Sequence, residues 1–162
     1  MYVDLKKLFS GEDKELVFQN TTFFEKEALS NGSVFAEPVE VRLSLEKEGN
    51  STVKIDISGR AIFEGVCARC LKEFTFSQHI NSTIYLSEEN LKNDSDEFPI
   101  EGTWLNADEM ILQEIILQAP LVLHCSVDCT GLCGNCGTPK ELGCDCAPLT
   151  GDPRLQILKE LL

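Results

Sequence analysis

Eight cysteines in two blocks constrain this chain more than any other feature. The first block is a single Cys-x-x-Cys, Cys67 and Cys70, within Gly65-Val66-Cys67-Ala68-Arg69-Cys70-Leu71. The second places Cys125, Cys129, Cys133, Cys136, Cys144 and Cys146 within 22 residues, punctuated by glycines at 131, 134, 137 and 143. In an exported chain such a set reads as a disulfide framework, whereas a reducing compartment keeps thiols free for metal. The stretch Met1 to Phe9 holds no apolar run long enough for a signal-peptide core, and no later segment approaches the ~20 apolar residues that span a bilayer. The expected location is therefore cytoplasmic, with no membrane partner, and the expected ligand is zinc.

Two residues between paired cysteines let both sulfurs reach one ion about 2.3 Å away, which makes Cys67 and Cys70 a zinc knuckle. A redox Cys-x-x-Cys sits at a helix start that lowers the thiol pKa, but sheet-like alternation flanks this one on both sides. Glycines beside the later cysteines allow backbone amides to turn toward the thiolates and spread their charge. Proximity along the chain groups Cys133, Cys136, Cys144 and Cys146, leaving Cys67 and Cys70 to be completed by Cys125 and Cys129. That grouping would fasten a sheet to the C-terminal segment. Pairing Cys67 and Cys70 with Cys133 and Cys136, as in a zinc ribbon, remains an alternative. Either division gives two four-sulfur sites and hence two zinc ions.

All-cysteine sites are closed and structural, because a catalytic zinc keeps a position open for water. His79 falls on the outward register of its strand, and His124 beside Cys125 is a reserve ligand. The chain has no G-x-S-x-G, no P-loop, no dinucleotide fingerprint and no H-E-x-x-H. The expectation is a protein that is not an enzyme, without catalytic residues or a small-molecule substrate.

With 162 residues, 43% of them hydrophobic, the chain can bury one ordinary core. Asp4 reads as the cap of a short helix containing Leu5, Leu8 and Phe9, and Leu16-Val17-Phe18 as a brief strand. Val39, Val41, Leu43 and Leu45 alternate with polar residues, turn residues follow at Glu48 to Ser51, and a second alternation runs through Val53, Ile55, Ile57, Gly59, Ala61 and Phe63. Gly59 on the inward register suggests a bend or bulge. A third alternation passes through Phe74, Phe76, Ile80, Ile84 and Leu86, interrupted at Gln78 and Ser82. Trp104 reads as a packing anchor before a helix whose capping box is Asn106 and Glu109, whose apolar stripe is Leu112, Ile115, Ile116 and Ala119, and which Pro120 ends. Asp152-Pro153 opens a last helix carrying Leu155, Leu158 and Leu162.

The fold class is therefore α+β: an antiparallel meander, with scope to close part-way into a barrel, packed by two or three short helices and followed by a Cys-rich zinc module. Residues 1–122 form the sheet-and-helix core with an acidic loop at 88–109, residues 123–148 the metal module, and residues 149–162 the C-terminal helix, within a single domain overall. The acidic loop reads as solvated and mobile.

The formal net charge is −13, with 14 basic against 27 acidic residues. Nucleic-acid affinity rests on Lys and Arg displacing counterions, so a chain of this sign is poorly suited to grip RNA by itself.

Cys67-Ala68-Arg69-Cys70-Leu71, the stretch Glu114 to Leu121, the segment Cys125 to Gly137 with its Cys-x-x-x-Cys-x-Gly-Leu-Cys core, Cys144-Asp145-Cys146 and Asp152-Pro153-Arg154-Leu155 occur in that order. As an ordered set they resemble the YceD family of large ribosomal RNA accumulation proteins, from about residue 35 onward. The resemblance implies a role in ribosome biogenesis, in accumulation or processing of large-subunit ribosomal RNA, and no known reaction. With the charge, it implies a ribosomal protein or pre-ribosomal particle as partner, the RNA being reached indirectly. A competing reading is a cytosolic thiol- or metal-handling protein that exchanges zinc or changes redox state.

Overall fold

A computed structural model describes residues 1–24, 29–49, 51–89 and 99–146. Residues 90–98 of the expected acidic loop and all of the expected C-terminal helix at 149–162 lie outside the described residues. The end of that loop is not a loop, since Ile100–Glu101 and Trp104–Asn106 are strands and a helix opens at Ala107. The chain divides into two compact units: Met1–Gly65 with Phe74–Val122, and Val66–Glu73 with Leu123–Leu162.

The first unit is α+β. Strand β1 (Tyr2–Asp4) leads into helix α1 (Lys6–Ser10), then β2 (Glu15–Thr22), β3 (Val34–Phe35), β4 (Val39–Glu48), β5 (Thr52–Val66) and β6 (Glu73–Ser87). Two short strands, β7 (Ile100–Glu101) and β8 (Trp104–Asn106), precede helix α2 (Ala107–Gln118). Strands β2, β4 and β5 lie side by side, β2–β4 and β4–β5 antiparallel, while β3 and β6 also pair with β5. None of the pairings among the described residues closes this sheet into a barrel.

Period-2 alternation explains the long strands. Val39, Val41, Leu43 and Leu45 of β4 and Val53, Ile55, Ile57, Ala61 and Phe63 of β5 are all buried in one core, and their intervening neighbours are not. On β6 only Ile80 and Leu86 are fully buried, with Phe76 and Ile84 packed partly against the same core. Phe35, Phe63 and Phe76 continue that core as a row of rings, with centroids 4.9 and 5.3 Å apart.

Gly59 makes neither a bend nor a bulge. The register runs unbroken through it, from Ile57 opposite Leu43 to Arg60 opposite Glu40. Glycine fits there because a Cβ would lie 2.5 Å from the Glu40 carbonyl oxygen of the neighbouring strand.

Asn106 caps α2, accepting from the Glu109 N–H at 3.4 Å and donating to the Glu109 carboxylate at 3.1 Å. Of the stripe expected from spacing, Ile115 is buried and Leu112 and Ala119 pack partly against the core, but Ile116 is exposed and Ala107, Met110 and Ile111 complete the buried face. The stripe is rotated because the helix starts directly behind a strand: Leu105 is fully buried, and the next inward positions follow from it. For the same reason Trp104, on the opposite face of β8, is 49% exposed and is no packing anchor. The capping of α1 also differs in detail. Leu5 holds the N-cap position, and Asp4 Oδ1 accepts from the Lys6 N–H at 3.0 Å.

Two candidate metal centres

The second unit begins where β5 turns into β6. In that turn the Cys67 N–H donates to the Lys72 carbonyl at 2.9 Å and the Leu71 N–H to the Cys67 carbonyl at 2.9 Å. Residues 133–138 repeat the pattern: Cys133 N–H to the Thr138 carbonyl at 2.8 Å, and Gly137 N–H to the Cys133 carbonyl at 2.9 Å. Both Cys-x-x-Cys segments are therefore the same knuckle, a loop closed by two backbone hydrogen bonds that turns both sulfurs inward. Each needs a left-handed residue directly after its second cysteine, at Leu71 (φ +60°) and Gly137 (φ +71°). Leu71 is the one non-glycine residue with positive φ among those described, and its side chain is exposed. Leu71→Gly should thus stabilise the protein by about 0.5–1 kcal/mol, relieving a left-handed Leu at the cost of a more flexible unfolded chain. Thermal unfolding of the metal-loaded variant measures this, and a lower midpoint would contradict it.

Hydrogen bonds within the unit gather the remaining cysteines. Ala68 N–H donates to the Leu123 carbonyl at 2.8 Å, the Arg69 guanidinium to the Cys129 carbonyl at 3.1 Å, and Leu132 N–H to the Arg69 carbonyl at 3.2 Å. Gly131 (φ +75°) permits that approach, since a Cβ there would meet the Arg69 carbonyl oxygen at 3.2 Å. As a result Cys67, Cys70, Cys125 and Cys129 form one group and Cys133, Cys136, Cys144 and Cys146 a second, with all sulfurs of a group within 4.8 Å of one another. Cys67 and Cys70 are thus not grouped with Cys133 and Cys136.

Sulfurs 2.3 Å from a common ion at tetrahedral angles would be about 3.8 Å apart, whereas a disulfide brings them to about 2.05 Å. Cys67 and Cys129 are 3.8 Å apart and Cys70 and Cys125 3.6 Å, with all eight cysteines free. Four convergent soft donors at that spacing have the geometry to hold a metal ion. The Arg69 N–H, 3.4 Å from Cys67 Sγ, supplies the amide contact that a ligated thiolate needs, and the Thr138 hydroxyl lies 3.3 Å from Cys136 Sγ. His124 is exposed and belongs to neither group, and His79 is exposed on β6. Arg69, Leu71 and Thr138 support these groups without being singled out by sequence reasoning; the shared Cys-x-x-Cys-x-x span closing on Lys72 and Thr138 was the available signal.

A family described as large ribosomal RNA subunit accumulation protein YceD matches residues 55–162, which contain both cysteine groups. The chain belongs to the YceD family. No curated protein and no solved structure matches it. The matched stretch of this YceD chain begins within β5, so it takes in both knuckles together with α2.

The thiols of this YceD protein differ in how readily they ionise. The backbone N–H of Cys125 and the knuckle amides bring Cys67 down to about 6, and the Thr138 hydroxyl with its backbone brings Cys136 to about 6. Cys125 is pushed up to about 12 chiefly by its hydrogen bond to Cys70, and Cys146 to about 12 by its hydrogen bond to Cys136. At pH 7 the metal-free groups therefore hold protons on Cys125 and Cys146 that an incoming metal must displace. Affinity should fall with pH by about tenfold per unit for each proton displaced, and more steeply once Cys67 and Cys136 protonate near 6. Equilibrium dialysis between pH 8 and 5 followed by elemental analysis checks this; constant metal content across that range would contradict it.

The first unit carries a polar trough of about 610 Å³ on the outer face of β2, β4 and β5, lined by Gln19, Thr21, Glu40, Arg42, Ser58 and Arg60 among others. Its lining includes one carboxylate and neither histidine nor cysteine. Among the described residues no helix is long and apolar enough to cross a membrane.

Proposed function

We propose that this protein is a non-enzymatic, cytoplasmic ribosome-biogenesis factor that supports accumulation or processing of large-subunit ribosomal RNA. Membership of the YceD family over residues 55–162 is the observation that carries this reading. Zinc is the metal of both cysteine groups, because four thiolates per ion match its preferred tetrahedral environment and leave no position open for substrate. The segment 123–148 is accordingly a brace rather than a reaction centre. Elemental analysis of purified protein should give two zinc equivalents per chain.

The partner is a basic ribosomal protein or a pre-ribosomal particle. At a net charge of −13 the average field of the chain repels phosphate and attracts cations, so RNA is approached through the partner. Loss of the protein should lower mature large-subunit ribosomal RNA relative to small-subunit RNA. Purification from cell extract should recover large-subunit proteins whether or not ribonuclease is added. A normal ratio of the two RNAs in a deletion strain would remove the biological role. Tight, salt-resistant binding to bare RNA would replace the mechanism while leaving the role in place.

Exposure of Cys136, Cys144 and Cys146 favours one competing reading, a thiol- or metal-handling protein. That function requires the second group to form disulfides or surrender zinc under mild conditions. Retention of both zinc ions through dialysis against a moderate chelator would exclude it.

A further inference from the structure

The small sheet of β1, β8 and β7 has one face in the core, through Val3 and Leu105, and one face in solvent. Antiparallel register assigns the outward face unambiguously. Asp4 stands directly opposite Trp104 on one side, Glu101 directly opposite it on the other, and Tyr2 opposite Asn106. Trp104, the only tryptophan of the chain, thus lies on the central strand between two carboxylates, with Tyr2 diagonally adjacent at the ~7–8 Å usual for such neighbours. Tyr2 is 57% and Trp104 49% exposed. Neither Asp4 nor Glu101 is in an ion pair among the described residues.

Aromatic rings in solvent would suit either a nucleic-acid base or a cation. Stacking a base brings a phosphate with it, and flanking carboxylates repel that charge. A guanidinium gains from both features, because it lies flat on an indole face while its forked N–H groups bond a carboxylate beside the ring. We propose that this outward face is the docking surface for an arginine-bearing segment of a basic protein, with Trp104 and Tyr2 as the platform and Asp4 and Glu101 as the counter-charges. This deepens, and rests on, the basic-partner reading above.

Trp104 is its own reporter. Titrating a tetra-arginine peptide into the zinc-loaded protein should change tryptophan fluorescence saturably. The D4N/E101Q double variant should weaken that binding by about tenfold, and Asn at position 4 keeps an acceptor for the Lys6 N–H. The E46Q/E64Q double variant removes the same charge from exposed positions on β4 and β5 and should leave binding within about twofold. Equal weakening in the two double variants, no saturable change, or tighter binding of a mixed-sequence single-stranded RNA than of the peptide would each overturn the proposal. Extract purification separates this surface from the reading beneath it. If wild type and D4N/E101Q capture the same basic large-subunit proteins equally, the surface is wrong and the partner reading stands. If the peptide results hold while wild type captures no basic protein, the partner reading fails and the surface stands.

Discussion

Cys67→Ser is expected to leave the protein with one zinc equivalent instead of two and to lower the unfolding midpoint of the metal-bearing unit by about 10 °C or more. The size follows from how little else holds that unit. Among its described residues the buried hydrophobics are Cys67, Leu123 and Cys129, too few to form a core that could offset the entropy of ordering the chain. Two of those three belong to the first cysteine group, so under the two-zinc proposal the metal would substitute for a core. Serine at position 67 leaves three thiolates around an ion that needs four, and puts an oxygen at a fully buried position. Elemental analysis and thermal unfolding of the same preparation test both halves. Two zinc equivalents together with an unchanged midpoint would show that the first group does not hold metal.

The contrast between the strands and the cysteine groups explains how far the sequence could be read. β4 and β5 are long, half-buried and alternating, so their inward residues follow from the period-2 pattern of the sequence alone. β1, β7 and β8 are two or three residues each, too short to show any period, and their sheet exists only because distant segments meet. Trp104 was misplaced for that reason: its register depends on Asp4 and Glu101, not on its neighbours in sequence. Ile116 failed differently, since helical spacing allows several rotations of a stripe and only the buried Leu105 selects among them. The cysteines were legible as donors from their spacing. Their division into groups followed from proximity along the chain, and the structure has that grouping. What sequence left open was the ribbon-like alternative, which is set aside only by Arg69 and Ala68 bonding to Cys129 and Leu123, contacts spanning more than fifty residues of sequence.

Chelation is expected to empty the two centres in order, the second group before the first, with rates about tenfold or more apart. A competing ligand must reach the ion, and the shell around a site sets that access. In the second group Cys136, Cys144 and Cys146 are exposed and Cys133 is half-buried. In the first, Cys67 and Cys129 are buried and Cys70 and Cys125 half-buried, behind a knuckle tied by Arg69 to residues 129 and 132. Release forced by a large excess of a strong chelator at elevated temperature, well beyond the moderate chelation that both centres should withstand, can be followed by elemental analysis of desalted samples drawn at intervals at pH 7.5, where the wild type should show a fast and a slow phase of equal amplitude. The C144S/C146S variant should show the slow phase alone, because only the buried group would still be loaded. Cys67→Ser should do the reverse and retain the fast phase. A single phase carrying both equivalents in the wild type, or loss of the slow phase in C144S/C146S, would mean that burial of the sulfurs does not govern how these centres hold their metal.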